Sequence, residues 1–283
     1  MNKRNAKKIK SNAANILIII FLSIVALMQI FPFYLQIVSS LQPLDFMPEY
    51  GKIYLKSEGL HFHNYVEAIK RVDLMTGVGN SLIVAFSFTI LSAIVILISG
   101  YVLGKKKFRG KKVIMFSLLL TMVVPGEILM VSNYKLVSEL GWTNSYAGLI
   151  LPGIVNITGI FLIMSFMNTI PNAVLESADI DGAGELRKLF KIVLPMALPV
   201  LSTYFILTFI AQWNDYLWPL IITNDSDLFT IQLKIKEFNP YYGGYADEIL
   251  KAAAMILTLL PVIIIYVCCQ KKLVSGLTIS GMK

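Results

Sequence analysis

Charge is what this chain has least of. Only 15% of its 283 residues are Asp, Glu, Lys or Arg, against about 25% in soluble domains. Hydrophobic residues make up 56% and the mean hydropathy is +0.70. Too little polar surface remains to clothe a soluble fold of this size, so the chain reads as an integral membrane protein. Cysteine is nearly absent. Cys268 and Cys269 are neighbours in an apolar run, and on a helix they point about 100° apart, which suits neither a disulfide nor a shared metal. Histidine is scarce too. His61 and His63 have no cysteine or third histidine near them, so they read as an interfacial pair rather than a metal site. No Ser/His/Asp or two-metal constellation is present, and hydrolytic chemistry has few candidates. The phosphate-cradling pattern G-x-x-x-x-G-K-[ST] is missing. Gly104 to Gly110-Lys111 is one residue too long and has Lys112 where Ser or Thr is needed. The chain is expected to bind no cofactor, to hold no metal and to be no enzyme.

Long apolar runs, by contrast, are plentiful. A spanning helix needs about 20 mostly apolar residues. Six segments qualify, near 14–37, 79–103, 113–134, 147–170, 195–222 and 249–270, which predicts an all-α, six-span architecture. The first is too long for the core of a signal peptide and ends in Phe31-Pro32-Phe33-Tyr34, an interfacial aromatic group. It reads as a retained anchor.

Lys and Arg orient the spans. One side holds 17: Lys3, Arg4, Lys7, Lys8 and Lys10; Lys105, Lys106, Lys107, Arg109, Lys111 and Lys112; Arg187, Lys188 and Lys191; Lys271, Lys272 and Lys283. The other side holds seven: Lys52, Lys56, Lys70, Arg71, Lys135, Lys234 and Lys236. Both termini are therefore expected in the cytoplasm. Topology and anionic lipid account for the net charge of +8, without nucleic acid. The predicted organisation is a basic cytoplasmic tail (1–13), a six-span domain (14–272) containing a cytoplasmic hairpin (171–194), and a cytoplasmic tail (273–283). The outer loop 38–78 is the longest, and Leu60-His61-Phe62-His63-Asn64-Tyr65 reads as the start of a short helix.

The hairpin is the most informative segment. Pro171 suits the first turn of a helix over 172–181, in which Val174 and Ala178 stack. Gly182 can take positive φ and end it. Leu186, Leu189, Phe190 and Val193 at i, i+3, i+4, i+7 predict one apolar face of a second short helix. Two readings are open from physics alone: docking to a soluble partner, or lying on the lipid surface. The acids Glu176, Asp179, Asp181 and Glu185 outnumber the local bases, which favours the partner.

Glu176-Ser177-Ala178, Gly182 and Ile192-x-Leu194-Pro195 resemble the "EAA" coupling loop of ABC-importer permeases. Ser177 departs from the pattern at a small-for-small position, and Asp181, Ala183, Phe190 and Pro199 match its sugar-importer version. Nearly the whole chain is similar to six-span sugar permeases of the maltose-transporter G-subunit type. Phe31-Pro32-Phe33-Tyr34, Ser39-Ser40-Leu41, Asn80-Ser81-Leu82, Phe108-Arg109-Gly110-Lys111, Trp213 to Pro219, and Leu273-x-x-Gly276-Leu277-Thr278-x-x-Gly281 carry the likeness. The resemblance implies a type I importer fold in a bacterial-type cell membrane. It implies a carbohydrate cargo, a second homologous permease, an external solute-binding protein and an ATPase dimer that uses ATP and Mg. It also implies that the loop sits in a cleft of the ATPase, with Glu176 paired to a basic group there and Ala178, Asp181, Gly182, Ala183, Phe190, Ile192, Leu194 and Pro195 completing the contact. Residues 276–283 are implied to reach the ATPase as well.

For the substrate path, polar groups inside apolar spans are the candidates. Glu127 follows Pro125-Gly126, which can loosen the helix; it either lines the path or sits near the outer interface. Asn156 and Thr158 face a cavity or bond between helices. Trp213, Asn214 and Asp215 begin an aromatic cluster running to Trp218, fit for a sugar face or for an interfacial belt. The competing function is a stand-alone secondary transporter or channel, which calls for intramembrane charges and often paired repeats, whereas Glu127 is nearly alone here and repeats are not evident.

Overall fold

The computed structural model describes residues 3–281, with side chains described for 15–239 and 243–268. In chain order the helices are α1 (Lys3–Ser40), α2 (His63–Arg71), α3 (Leu74–Lys105), α4 (Lys111–Thr121), α5 (Gly126–Glu139), α6 (Tyr146–Ile150), α7 (Ile157–Met167), α8 (Asn172–Ile180), α9 (Glu185–Lys188), α10 (Leu194–Trp213), α11 (Leu217–Ile222), α12 (Ile231–Lys236) and α13 (Pro240–Gly281). No strand occurs among the described residues. The backbone is helical from Lys3 in α1 and up to Gly281 in α13, which is kinked at Gly244 (φ +60°, ψ −155°), so much of each expected tail continues a helix. Side chains of 1–13 and 273–283 lie outside the described residues.

Among the described residues, four helices are long and apolar enough to cross a membrane: Asn15–Ser40, Leu74–Lys105, Glu185–Trp213 and Gly243–Cys268. Two bent pairs raise the number to six if each is one span. The expected third and fourth spans are thus broken rather than continuous. Between α4 and α5 the chain turns by 101°. Pro125 causes it, since it lacks an N–H and drives the preceding residue out of helical geometry. Between α6 and α7 the bend is 47°, after a 3₁₀ turn over Leu151–Gly153 that contains Pro152. Helix α7 restarts under a cap: the Asn156 side-chain oxygen accepts the Gly159 amide at 2.7 Å. The fifth expected span, 195–222, also breaks. Helix α10 stops at Trp213 and α11 restarts at Leu217.

The chain forms two compact units, residues 1–72 with 238–257 and residues 73–237 with 258–283. In the first, Asn64 is buried and its amide donates to the Ser40 and Gln42 carbonyls at 2.9 and 2.8 Å. That satisfies the open end of α1 and fixes α2 beneath it. Tyr65 meets Ser40 through their hydroxyls at 2.8 Å, and Arg71 pairs with the buried Asp247 at 3.4 Å. The His61 and His63 rings meet edge-on at 5.6 Å, and no metal-holding cluster occurs among the described residues.

In the second unit, α3 packs on α7 and α10 around Ile96, Leu97, Ile163, Met167, Val193 and Ala197. Two glycines set the approach. A Cβ on Gly100 would lie 2.6 Å from Ile163 Cγ2, and one on Gly104 would lie 2.5 Å from Met167 Cβ. This Gly-x-x-x-Gly face lets the α3 and α7 backbones meet closely, as in membrane helix pairs. A buried Ser92–Tyr204 hydroxyl pair at 2.6 Å ties α3 to α10.

Candidate functional site

All the site elements described here belong to the second unit. The first is a cavity of about 330 Å³ where the three helix breaks converge, within the range of small-molecule sites. Its wall takes Gly126, Met130 and Asn133 from one face of α5, where i, i+4, i+7 spacing aligns them. Pro152, Gly153 and Asn156 come from the α6–α7 break, and Gln212, Asp215 and Trp218 from the α10–α11 break. Phe88 of α3 and Leu149 of α6 complete it. Each break removes backbone hydrogen bonds, and inside a membrane that is tolerated only against protein or a water-filled cavity. The cavity and the breaks therefore explain one another.

Hydrogen bonds brace this wall from behind. The Trp218 indole donates to the Gly148 carbonyl at 3.0 Å. The Tyr146 hydroxyl donates to the Asn80 side-chain oxygen at 2.6 Å, while the Asn80 amide donates to the Asp227 and Phe229 carbonyls at 2.8 and 2.9 Å. Ser81 accepts the Ile231 amide at 2.8 Å. The Asn80-Ser81 pair thus holds the segment beyond α11 over the first turns of α3.

Of the expected pathway residues, Asn156 and Asp215 line the cavity. Asn156 spends its side-chain oxygen on the α7 cap rather than on a bond between helices. Glu127 lies in the first turn of α5 beside the lining Gly126, is exposed, and is outside the lining set. Thr158 and Asn214 are exposed and also outside it. Trp213 is 1% exposed, stacks on Phe209 and donates to the Thr258 carbonyl at 3.2 Å; it is a core residue in this arrangement. The sequence reading missed Phe88, Asn133 and Gln212. Gln212 sits three residues before Asp215, and that spacing was the available signal.

The second element is the hairpin. Helix α8 starts after Pro171, which takes the cap position with φ −61° and ψ 136°, one place earlier than expected. It ends in a Schellman motif. Gly182, at φ +72°, donates to the Asp179 carbonyl at 3.0 Å, and Ala183 donates to the Ala178 carbonyl at 2.9 Å. Leu175 and Ala178 are buried, and Ala183 is half-buried.

The second arm departs from expectation. Helix α9 is a single turn, followed by a π turn over Leu189–Val193. Pro195 accounts for it. Its ring clashes with the carbonyl four residues back, at Lys191, so the turn widens to i→i+5. The predicted apolar face is split as a result. Leu189 and Val193 are 4% and 0% exposed, whereas Leu186 and Phe190 are 72% and 50% exposed. Ile192 and Leu194 are half-buried and Pro195 is exposed.

The hairpin's acids divide into two kinds. Asp179 and Glu185 are paired internally with Lys188, each at 2.5 Å. Glu176 and Asp181 are exposed and have no ion pair among the described residues. The ammonium of Lys105, at the end of α3, donates to the Ile170 carbonyl at 2.6 Å and to the Asn172 side chain at 2.9 Å.

Broken apolar helices around a polar cavity, with a charged hairpin set between two of the spans, define an all-helical transport permease. The chain belongs to the family of binding-protein-dependent transport system inner membrane components, whose pattern matches residues 96–278. It is 30% identical over 266 residues to the arabinooligosaccharides transport system permease protein AraQ of Bacillus subtilis (strain 168), covering 93% of this chain and 94% of that one. It is 34% identical over 198 residues to the sn-glycerol-3-phosphate transport system permease protein UgpE of Yersinia pestis bv. Antiqua (strain Antiqua), covering 70% of each. Its fold is similar to a chain of a bacterial ABC transporter involved in import of the acidic polysaccharide alginate. That likeness has a TM-score of 0.82 and 25% identity, and covers 93% of this chain and 97% of that one. The protein is a multi-pass membrane permease subunit of an ABC importer, with the type I fold, and not an enzyme. Such a permease works with a solute-binding protein, a partner permease and an ATPase. The stand-alone transporter alternative is removed.

Proposed function

We propose that this chain carries a neutral saccharide through the cavity at its helix breaks, driven by an ATPase that docks on the 171–194 hairpin. The lining of that cavity is the observation that carries the reading. Trp218 and Phe88 offer ring surfaces, and Asn133, Asn156 and Gln212 offer amides that both donate and accept. This is the chemistry that sugar faces and hydroxyls ask for. Asp215 is the one ionisable side chain in the lining, which contains no Lys or Arg. A phosphate or a uronate would find no cationic side chain in that lining, and burying an unpaired anion is costly. The related proteins for sn-glycerol-3-phosphate and alginate take anionic cargo; this lining favours the oligosaccharide side of the family.

The hairpin faces the cytoplasm together with both termini, following the excess of Lys and Arg on that side. Glu176 and Asp181 are its free carboxylates for basic groups of the ATPase, and Ile180, Leu186 and Phe190 its exposed apolar contacts. ATP and Mg belong to the ATPase.

The test is reconstitution of the permease with its partner permease, ATPase and solute-binding protein in proteoliposomes. Labelled neutral oligosaccharide should enter only with ATP. Uptake confined to phosphorylated or uronate-bearing cargo would overturn the neutral assignment.

A further inference from the structure

Among the described residues of the second unit, Lys188 is one of two buried lysines, with Lys234, and the one that sits in the hairpin. Its side chain is 2% exposed, whereas every other charged side chain of the hairpin is exposed. A buried ammonium is costly unless it is paired and hydrogen-bonded, and here it is both. Asp179 from α8 and Glu185 from α9 take it at 2.5 Å each. Glu185 is shared further. Its Oε1 faces Lys188, while its Oε2 accepts Lys106 at 2.6 Å and the Tyr101 hydroxyl at 2.8 Å. Five side chains thus connect both arms of the hairpin to the end of α3.

The backbone between the arms is a hinge. Gly182 has φ +72° with no neighbour within 4 Å of a built Cβ, and Gly184 is equally open. Two backbone bonds close the turn itself, from Gly182 to Asp179 and from Ala183 to Ala178, and beyond them side-chain contacts set the angle between α8 and α9. The Asp179–Lys188 pair bridges the hinge directly, and Lys105 holds the other end of α8 through Ile170 and Asn172.

We propose that Lys188 is a positioning residue: it locks α8 and α9 into one rigid piece fixed to α3, so that a push on α8 displaces the spans instead of bending the hairpin. The proposal rests on the hairpin being the face the ATPase moves. It also explains the division of the acids. Two serve the clamp and two stay free for the partner.

The complete importer in proteoliposomes tests this with Lys188→Met and, should that variant fail to fold, Asp179→Asn, whose native side chain is 59% exposed. Three quantities are read: ATPase retained on co-purification, ATP hydrolysed per solute imported, and the spread of distances between spin labels at Ser177→Cys and Lys107→Cys, with Cys268 and Cys269 replaced by Ser. The ATPase should stay bound, the distance distribution should broaden, and the ATP cost per solute should rise about threefold, within the range coupling networks command. A merely structural role would lower yield without moving that ratio. An unchanged ratio and distribution with the ATPase bound would overturn the clamp. Glu176→Lys, run alongside, separates the two ideas. If it uncouples transport while the clamp variants match wild type, only the clamp fails. If it too transports normally, the ATPase-docking reading of the hairpin fails with it.

Discussion

Across the end of α8 the amide of Ala183 donates to the carbonyl of Ala178 at 2.9 Å, closing a loop around Gly182. Only a left-handed residue at position 182 allows that bond. An L side chain there costs about 1–2 kcal/mol of backbone strain, with no steric clash to add, since nothing lies within 4 Å. Gly182→Val should therefore leave membrane insertion intact while cutting uptake several-fold. Gly182→Asn should retain more activity, because Asn tolerates this region. Uptake assays on the two variants, normalised to inserted protein, check the order.

Glu176 and Asp181 are exposed and have no ion pair among the described residues, so their charge is available to a partner. Glu176→Lys should insert and fold normally yet lose roughly tenfold or more of ATP-dependent uptake, the scale of a removed charge pair turned repulsive at an interface. Affinity co-purification of the ATPase should fall in parallel. Normal uptake would sink the docking assignment.

The cavity yields a contrast within one assay. Asp215→Asn and Trp218→Ala change lining groups, so both should weaken transport of a neutral oligosaccharide. Trp218→Ala should be the stronger, since it also removes the bond to Gly148. Glu127→Gln changes a neighbour that does not line the cavity, and uptake should stay within about twofold, as is usual for exposed substitutions. A Glu127→Gln defect larger than that of Asp215→Asn would reverse the assignment.

Gly100 and Gly104 should tolerate no side chain. Gly104→Leu would overpack against Met167 and should cost about 1–3 kcal/mol or more, lowering the thermal midpoint in detergent. Gly79→Ala, on the same helix but with open space around it, is the control and should be near neutral.

Much of this was legible in the sequence because long apolar runs, turn glycines and a spaced motif are local signals. The hairpin's boundaries, the Gly182 turn and the approximate spans come from such signals. The helix breaks were only half legible. Pro125 and Pro152 are visible in the sequence, but a proline inside an apolar run can kink a helix or end it, and tertiary packing decides which. The π turn before Pro195 was invisible to a 3.6-residue template, so Leu186 and Phe190 were expected on one apolar face with Leu189 and Val193. Lys188 was the least legible. In a charged stretch it counts as one more solvent-facing base, and only the fold brings Asp179, Glu185 and the end of α3 around it. The Gly100-x-x-x-Gly104 face was readable in principle and passed over, because in an apolar run it competes with the simpler view of a uniformly greasy span.

The end of α3 sets a rule for inheritance. Gly100 meets Ile163, Gly104 meets Met167, Lys105 holds Ile170, and Tyr101 and Lys106 share Glu185, all within two turns. One inserted or deleted residue in that stretch would rotate everything beyond it by about 100°. It would break several of those contacts at once, and no single compensating substitution could restore them. The basic loop just beyond, around Phe108 to Gly110, carries no such register, and lengthening it costs only loop entropy. Descendants of this gene should accordingly vary in length after position 107 and almost never between 100 and 106.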